Sequence, residues 1–290
     1  MTPREVETRS MPEPPLSTLE LERMANQLRQ DVIRMTCEAA SGHPGGSLGA
    51  ADLVAVLYFH TLRIDPQDPA WMDRDRFILS KGHACPVLYA ALARRGFFPV
   101  EHLLTLRKFN SLLQGHPDML KTPGVDMTTG SLGNGLAAGL GMALGGRMDG
   151  AGFRVYVMLG EGDLQEGCTW EAAMMAGHHR LSNLTAILDY NRAQVDGLVS
   201  EIVDPEPVAG KWLAFNWQVL EIDGHDIPQI IQAFDWAGRD NGTPTLILAR
   251  TTKGKGVSFM ERDPVYWHGT PPTRQQAARA LGELAPEATP

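Results

Sequence analysis

Cysteine is scarce in this sequence, and its three copies lie far apart. Cys37, Cys85 and Cys168 include no CxxC pair, and an odd number cannot all pair within one chain. Disulfide frameworks use even sets of cysteines at close, regular spacings, so none is expected here. The pattern indicates a protein that folds in a reducing compartment.

Long apolar runs are also missing. No stretch approaches the ~18 apolar residues that a membrane-spanning helix requires, and the first sixteen residues, MTPREVETRSMPEPPL, lack the apolar core of a secretory signal. We therefore predict a cytoplasmic protein that does not associate with membranes.

Positive charge is in deficit, with 26 lysines and arginines against 34 acidic residues and a net charge of −8. This balance disfavours general binding to nucleic acid, although it is compatible with a local basic pocket for a phosphorylated substrate. With 43% hydrophobic residues, the chain can bury a large core of ordinary globular composition.

Short apolar runs alternate with helical patterns along the chain. Strands are predicted at 76–79, 153–159, 184–188, 217–222 and 245–249, helices at 19–40, 49–61, 84–95, 101–109, 136–148, 165–179, 227–236 and 273–284, and loops at 41–46 and 192–208. Such alternation predicts an α/β fold, a parallel sheet with helices on both faces. We expect a mobile N-terminal arm over 1–16, one domain over 17–272, and a short C-terminal helix and tail over 273–290.

The stretch from residue 153 to residue 193 has the most distinctive pattern. After a predicted strand, Gly160-Glu161-Gly162-Asp163 breaks the apolar run, a helix follows, and a second strand leads to Asn191. This order predicts one right-handed crossover unit of a parallel sheet. Glu161 and Asn191 would then leave the carboxyl ends of two parallel strands, where ligands bind in open α/β sheets.

The residues at these two strand ends offer oxygen ligands. A carboxylate and an amide oxygen suit magnesium or calcium rather than zinc. Glycines on both sides of Glu161 let the backbone approach a phosphate, and the following helix N-terminus favours an anion. The residues therefore predict a magnesium ion that bridges a diphosphate, while an ordinary strand–helix turn with an exposed acid explains the spacing equally well.

Glycine-flanked turns between predicted elements contain four histidines: His43, His83, His116 and His268. Histidines on such loops can converge on one pocket, where they bind sugar hydroxyls or move protons near neutral pH. A lone loop histidine is more often only a hydrogen-bonding residue, so this prediction depends on the shared setting. The adjacent histidines at 178–179 point to different sides of a helix and are not predicted to bind a metal.

Two lysines, Lys253 and Lys255, follow the last predicted strand in the segment TTKGKG. Their charge could attract a substrate phosphate. A solvated turn accounts for the same pattern, and we favour that structural role.

Several segments resemble the transketolase family of thiamine diphosphate enzymes. Gly-Glu-Gly at 160–162, followed after 28 residues by Asn191, is similar to the thiamine diphosphate motif, and GEGDLQEGCTWEAAMMAGH is similar to its transketolase form. Glu161 replaces the aspartate that is usual between the two glycines. Further resemblances follow in the family's order: SGHPGGSLGAAD at 41–52, DRFILSKGHACPVLYA at 75–90, QGHPD at 114–118, TTGSLGNG at 128–135 and WHGTP at 267–271.

The resemblance implies a role for each matching residue. Catalytic roles fall on His43, His83, His116 and His268. Cofactor contacts fall on His83, Gly130, Ser131, Leu132, Gly162, Asp163, Asn191 and His268. Metal ligands fall on Glu161, Asn191 and the backbone carbonyl of Ala193, for magnesium or, as alternatives, calcium or manganese.

The resemblance also implies an activity and a partner. Transketolases use thiamine diphosphate to transfer a two-carbon ketol unit from a ketose phosphate to an aldose phosphate. This sequence resembles their diphosphate-binding domain and stops after it. We therefore expect the N-terminal subunit of a split transketolase, completed by a C-terminal, pyrimidine-binding subunit in a heterotetramer.

Other interpretations of the resemblance stay open. The chain could serve a specialised thiamine enzyme that acts on a modified sugar or a 2-oxo acid, or it could be a non-catalytic assembly subunit that retains the fold. The small-residue part of the helix at 136–146 is a candidate for contact between chains, although packing of the helix on the sheet explains its composition equally well.

Overall fold

A five-stranded parallel sheet forms the centre of the computed structural model, which describes residues 16–285. Its strands, in spatial order, are β1 (Arg76–Leu79), β2 (Val155–Gly160), β3 (Leu184–Tyr190), β7 (Thr245–Arg250) and β6 (Gln218–Asp223). A separate antiparallel hairpin joins β4 (Ala193–Gln194) to β5 (Gly197–Leu198). Because every pairing in the large sheet is parallel, the carboxyl ends of its strands lie along one edge.

Helices cover both faces of this sheet. In chain order they are α1 (Thr18–Ala39), α2 (Pro44–Gly49), α3 (Ala51–Val56), α4 (Cys85–Arg95), α5 (Asn134–Met148), α6 (Gly167–His178), α7 (Val199–Ile202), α8 (Val208–Ala214), α9 (Ile227–Ala237), α10 (Ser258–Glu261) and α11 (Arg274–Glu283). Shorter 3-10 turns occupy Gly82–Ala84, Val100–Thr105, Glu161–Gln165 and Tyr266–His268, and a π-helical turn over Leu57–Thr61 continues α3. None of these helices combines the length and apolar character needed to cross a bilayer.

Separate apolar cores fill the two sides of the sheet. On β2, Tyr156 and Met158 join the core formed with α1, α3, α4 and α9, whereas Val155 and Val157 join the core formed with α5 and α6. Side chains alternate between the faces of a strand, and burial on both faces is typical of a parallel sheet covered by helices. The predicted fold class is confirmed.

Side-chain caps fix where the long outer helices begin. At the start of α1, the backbone N–H of Ser17 donates to the carboxylate of Glu20 at 2.8 Å, while the backbone N–H of Glu20 reaches Oγ of Ser17 at 3.4 Å. Thr273 and Gln276 form the same reciprocal arrangement at the start of α11. Each such box satisfies two backbone donors that a helix otherwise leaves unpaired.

Local predictions are wrong in three places. The expected loop at 41–46 contains the start of α2, because Pro44 stands at the first helical position, where its fixed φ favours a helix. The expected helix at 101–109 is a 3-10 segment over Val100–Thr105. The stretch at 192–208, expected to be an ordered loop without helix or strand, contains the β4–β5 hairpin and α7.

The two ends of the described chain both contact the body of the domain. The N–H of Leu16 donates to the carbonyl of Phe59 at 3.4 Å. At the other end, the side-chain amides of Asn26 and Gln30 on α1 donate to the carbonyl of Leu284 at 2.7 and 3.1 Å, so α11 lies against α1. The rest of the predicted arm (1–15) and the end of the predicted tail (286–290) fall outside the described residues.

The crossover helix α6 approaches its neighbour too closely for any side chain at Gly177. A Cβ atom added there would lie 1.7 Å from the carbonyl oxygen of Phe215, at the end of α8. We predict that Gly177→Ala lowers the free energy of unfolding by about 1–3 kcal/mol, the usual cost of overpacking. Thermal unfolding measures this change. Gly282→Ala in α11, where an added Cβ meets no described atom within 4 Å, is the matched control, and an equal loss in both variants would contradict the prediction.

Candidate active site

The predicted site residues gather in a cavity of about 410 Å³ at the carboxyl edge of the sheet. Ten of them line it: His43, His83, Gly130, Leu132, Glu161, Gly162, Asp163, Asn191, Ala193 and His268. His116 and Ser131 do not. The two predicted strand ends are direct neighbours, because β2 pairs with β3 and Gly160 lies opposite Asp189.

Glu161, at the end of β2, has one carboxylate oxygen in use and one without a partner. Its Oε2 accepts hydrogen bonds from the backbone N–H groups of Asn191 (2.9 Å) and Arg192 (2.5 Å). Its Oε1 is buried and has no hydrogen-bond partner among residues 16–285. Burial raises the pKa of Glu161 to about 7. An unpartnered buried oxygen is costly, and a bound cation would satisfy it.

Asn191 is oriented by the fully buried carboxylate of Asp189 at the end of β3. Its Nδ2 donates to Oδ2 of Asp189 at 3.1 Å, and Oδ2 also receives the ammonium of Lys81. The other carboxylate oxygen accepts the hydroxyl of Thr251. With Nδ2 turned to Asp189, Oδ1 of Asn191 faces the backbone N–H of Ala193 at 3.3 Å. The buried carboxylate therefore fixes which end of the amide serves as the oxygen ligand.

The carbonyl of Ala193, the third predicted metal ligand, lies beside the ammonium group of a lysine. The ammonium of Lys253 donates to the carbonyl of Ala193 and lies 3.1 Å from Nδ1 of His268. Burial lowers the pKa of Lys253 to about 8, although the charge of Asp189 acts in the opposite direction. Lys253, for which the sequence favoured a solvated turn, is only 4% exposed and lines the cavity.

This set of donors fits a divalent cation and a diphosphate. A carboxylate, an amide oxygen and a backbone carbonyl are the hard ligands that magnesium accepts. No group of three His, Cys, Asp or Glu side chains in the described range could hold a metal ion, so a metal here would rely on the amide and carbonyl oxygens. Gly46 also lines the cavity, and a Cβ added there would meet no described atom within 4 Å, so its backbone leaves room for phosphate oxygens.

Asp163 lines the same cavity, but its carboxylate is engaged by the chain itself. Its oxygens accept hydrogen bonds from Oγ of Ser80 (2.5 Å), the N–H of Gly133 (2.7 Å) and the N–H of Gly160 (2.8 Å). The residue is fully buried, and burial raises its pKa despite these donors. Asp163 thereby connects the ends of β1 and β2 to the loop that precedes α5.

Three of the predicted histidines contact one another. The ring centroids of His43, His83 and His268 are separated by 5.2 Å (His43–His83), 5.5 Å (His43–His268) and 5.1 Å (His83–His268). Burial lowers the pKa of His43 to about 4, of His83 to about 2 and of His268 to about 3, and neighbouring cations add to the shift. All three imidazoles are therefore neutral at pH 7, each with one donor and one acceptor nitrogen.

The remaining two predicted residues border the cavity or lie outside it. A Cβ atom added at Gly130 would lie 3.2 Å from Cδ2 of His116, so this imidazole stands directly behind the cavity wall. Burial and the nearby guanidinium of Arg107 lower the pKa of His116. Ser131 is exposed and does not line the cavity.

Sequence reasoning missed the charged residues that organise these ligands. Lys81 and Asp189 form a buried ion pair at the ends of β1 and β3. The available signal was a charged residue at the end of an apolar strand, which in a parallel sheet lies at the ligand-binding edge. The sequence did not indicate that these two charges, 108 positions apart, neutralise each other.

Comparison with known proteins identifies the family. The model of the family "Transketolase, thiamine diphosphate binding domain" matches residues 21–284. The chain belongs to this family. The domain's parallel sheet and helices also superpose on the transketolase of Campylobacter jejuni with a TM-score of 0.87 and 34% sequence identity, over 93% of this chain and 43% of that one.

Two similar relatives are described as transketolase subunits. The chain is 45% identical to the 6-deoxy-6-sulfo-D-fructose transketolase subunit SqwG of Clostridium sp. (strain MSTE9), over 93% of this chain and 98% of that protein. It is 40% identical to one of the subunits of the apulose-4-phosphate transketolase of Phocaeicola vulgatus, over 93% of this chain and 95% of that protein. Human transketolase is 43% identical, but the matched region covers 90% of this chain and only 41% of the human protein.

The elevated pKa of Glu161 predicts a pH-dependent effect of Glu161→Gln. The unfolded carboxyl ionises near pH 4.5, whereas the folded one does so near pH 7, so this group destabilises the unliganded protein as the pH rises through that interval. Glutamine removes the charge and can still accept the two backbone N–H bonds. We expect Glu161→Gln to stabilise the unliganded protein at pH 8 by on the order of 2 kcal/mol, and by much less at pH 5.

Thermal unfolding without added cofactor or metal, at pH 5 and at pH 8, measures this difference. Glu171→Gln, an exposed change on α6, is the control and should show no comparable change between the two pH values. A destabilisation by Glu161→Gln of the same size at both pH values would show that the buried carboxylate is not strained by its charge.

Proposed function

We propose that this chain is the diphosphate-binding subunit of a two-chain transketolase that uses thiamine diphosphate and magnesium. The observation that carries the proposal is the unpartnered Oε1 of Glu161, which lies in one cavity with the oxygens of Asn191 and Ala193 and with a cluster of neutral histidines. The reaction is the transfer of a two-carbon ketol unit from a ketose phosphate to an aldose phosphate.

The binding roles divide among residues that already line the cavity. Glu161, Asn191 and the carbonyl of Ala193 hold the magnesium ion, with the amide of Asn191 oriented by Asp189. Gly130, Leu132 and Gly162 form the wall against which the cofactor diphosphate lies, and the buried ammonium of Lys253 balances part of its charge. When bound, thiamine diphosphate supplies the carbanion chemistry, and the protein supplies binding, orientation and exclusion of water.

The histidines are suited to a polyhydroxylated substrate. A neutral imidazole both donates and accepts a hydrogen bond, so His43, His83 and His268 can bind adjacent sugar hydroxyls without placing extra positive charge beside the cofactor. A bound diphosphate would raise the pKa of these imidazoles, so that a nitrogen that accepts a hydroxyl hydrogen bond could take up the proton when a carbon–carbon bond next to that hydroxyl breaks, and return it in the reverse step. His116 stands behind Gly130, outside the cavity lining, and we assign it to this set on the resemblance to the family alone.

The names of the relatives support a separate partner subunit. The two relatives described as subunits align over almost their whole length, whereas the full-length human and Campylobacter transketolases are more than twice as long as the matched region. We infer that a second chain carries the pyrimidine-binding domain and the group that activates the thiazolium ring.

A modified sugar is the second candidate substrate. The two relatives are named for 6-deoxy-6-sulfo-D-fructose and for apulose 4-phosphate, and the histidine cluster recognises hydroxyls near the reacting carbons, which any ketol donor carries. A thiamine enzyme that condenses a 2-oxo acid needs fewer hydroxyl contacts and fits the cluster less well. A non-catalytic assembly subunit would not require a buried carboxylate oxygen that, like Oε1 of Glu161, has no hydrogen-bond partner among the described residues.

Reconstitution with the partner chain tests the proposal. We predict that this chain, purified with the pyrimidine-binding subunit, transfers ketol units in the presence of thiamine diphosphate and magnesium, and that neither chain does so alone. Xylulose 5-phosphate, fructose 6-phosphate and 6-deoxy-6-sulfofructose are the donors to compare, with aldose phosphates as acceptors. Product formation is followed by mass spectrometry.

The outcomes separate the alternatives. Transfer from only one donor would identify the substrate class. A complex that binds the cofactor and consumes a 2-oxo acid would indicate a synthase. A complex that binds no cofactor would leave an assembly role and overturn the proposal. Glu161→Ala in the active complex should abolish magnesium-dependent cofactor binding, while the exposed Glu171→Ala should not.

We further propose a heterotetramer in which two copies of this chain meet through α5. Gly141 and Gly145 lie within this helix, and an added Cβ at either position would meet nothing within 4 Å in the described part of the chain. Glycine inside a helix costs about 0.5–1 kcal/mol relative to alanine, and packing within the chain does not account for it at these positions. Met148, at the end of the same helix, is 80% exposed. Close approach of a second backbone explains these features together.

Gly141→Arg tests this assembly. The added guanidinium would separate the two α5 helices, so we expect the mass of the reconstituted complex, measured by light scattering after gel filtration, to fall to half. Gln275→Arg on the exposed side of α11 introduces the same charge elsewhere and should leave the mass unchanged. An unchanged mass for Gly141→Arg would exclude this face from the contact.

A further inference from the structure

The segment that contains Lys253 packs closely against α2. A Cβ atom added at Gly49 would lie 2.9 Å from the carbonyl oxygen of Thr252, and one added at Gly45 would lie 3.0 Å from Cγ of Lys253. Both glycines belong to α2, one turn apart. In addition, the N–H of Gly254 donates to the carbonyl of Gly45 at 2.9 Å. The backbone around Lys253 therefore lies directly against α2.

A histidine outside the cavity contacts the same segment from the other side. Nε2 of His225, in the turn between β6 and α9, accepts a hydrogen bond from the backbone N–H of Thr252 at 2.8 Å. A ring nitrogen that accepts carries no proton, so the proton of this neutral imidazole is on Nδ1. Nδ1 lies 2.7 Å from Oδ2 of Asp52 and donates to it.

The carboxylate of Asp52 is itself fixed. It is buried in α3 and receives the guanidinium of Arg29 from α1. Arg29 also donates through Nε to the carbonyl of Leu48 at 3.2 Å. Burial alone would raise the pKa of Asp52, but the charge of Arg29 and the bond from His225 outweigh it and hold the pKa below its usual value. An ionised carboxylate keeps the imidazole in the one tautomer that can accept from Thr252.

We propose that the Asp52–His225 pair is a positioning element for Lys253: it holds the backbone of Thr252 and thereby aims the Lys253 ammonium into the cavity. Asp52 fixes the tautomer of His225 by accepting from Nδ1, and Nε2 of His225 then accepts from the backbone of Thr252. Lys253, the residue after Thr252, carries the charge. Neither Asp52 nor His225 lines the cavity. The part of this inference that concerns cofactor affinity rests on the proposed function; the part that concerns the placement of Lys253 does not.

Two substitutions separate the two nitrogens of His225. His225→Gln places a side-chain oxygen near the position of Nε2 and keeps an acceptor for Thr252. His225→Asn places a side-chain NH₂ near the position of Nδ1 and keeps the donor to Asp52, but loses the acceptor. A purely structural role, which only satisfies the buried Asp52, predicts that His225→Asn is the milder change. The positioning role predicts the opposite.

The first measurement is the rate at which a water-soluble acylating reagent modifies Lys253 in the unliganded full-length chain, followed by peptide mass spectrometry. Lys255, two residues further along, serves as the internal control. We expect His225→Asn to raise the rate at Lys253 at least fivefold and His225→Gln to change it less than twofold, with Lys255 unaffected in both. Equal rates in all three proteins would overturn the proposal, as would a larger effect of His225→Gln.

The second measurement is the affinity of the reconstituted two-chain complex for thiamine diphosphate with Mg²⁺, by isothermal titration calorimetry. We expect the dissociation constant to rise about tenfold in His225→Asn and less than twofold in His225→Gln. If the complex of the unmodified chain with its partner binds no thiamine diphosphate, the proposed function fails, while the acylation rates still decide the placement of Lys253. If acylation shows the expected split but the two affinities are equal, Lys253 is positioned for something other than the diphosphate, and the cofactor part of the inference is overturned.

Protein stability provides the remaining check. Both variants should unfold cooperatively, since each side-chain amide keeps one of the two hydrogen bonds of the imidazole. If His225→Asn does not fold, hydrogen exchange at the Thr252 amide of the unmodified protein takes its place: protection of at least about a hundredfold over an unstructured peptide is expected. An unprotected amide would show that His225 does not hold this backbone.

Discussion

The ion pair between Lys81 and Asp189 is the interaction on which the ligand-binding edge depends. Both side chains are almost completely removed from water, and loss of one partner of such a pair typically costs about 3–5 kcal/mol because the other charge is left unpaired. The pair also organises its neighbours: Asp189 receives the hydroxyl of Thr251 and the side-chain NH₂ of Asn191 in addition to the ammonium. The ends of β1, β3 and β7 therefore meet at one carboxylate. Burial alone would raise the pKa of Asp189, but Lys81 reverses this effect, so the carboxylate of Asp189 stays ionised.

The same exclusion of water determines the protonation of the other ionisable groups that line the cavity. A low-dielectric setting disfavours the charged form of every ionisable group, so the histidines are neutral, the pKa of Glu161 is raised and that of Lys253 is lowered. The last two shifts bring the pKa values of Glu161 and Lys253 close to neutral pH, so a bound ion of opposite charge changes the ionisation of either group. A divalent cation next to Glu161 favours its ionised form, and a diphosphate next to Lys253 favours its ammonium form. Binding of the two together would favour the charged form of both groups at once, which would offset the cost of burying a carboxylate and an ammonium in one cavity.

Periodicity and strand-end reasoning predicted the part of this arrangement that depends on local sequence. The strand–turn–helix–strand unit around Glu161 and the position of Asn191 follow from apolar patterning and the edge geometry of parallel sheets. The pairing of Lys81 with Asp189 could not be predicted in this way, because it joins residues 108 positions apart whose individual patterns are those of ordinary strand ends. Lys253 was misjudged for a related reason: a Lys-Gly-Lys-Gly turn looks solvated until α2, with glycine at 45 and 49, is seen to cover it. Gly45 also explains why the start of α2 was predicted to be a loop, since glycine is a poor helix former and is needed here for close backbone contact.

A site held by so many internal contacts is arranged before any partner binds. Glu161 is fixed by two backbone N–H groups, Asn191 by Asp189, and Asp163 by three donors from three different segments. Association of two proteins is opposed by the entropy of ordering side chains at the interface, and here that ordering has been completed during folding. A partner subunit would therefore need to provide only the chemistry that this cavity lacks and a surface that closes it. The proposed division of one active site between two chains is physically tolerable for this reason, because the cavity described here takes its geometry from contacts within its own chain.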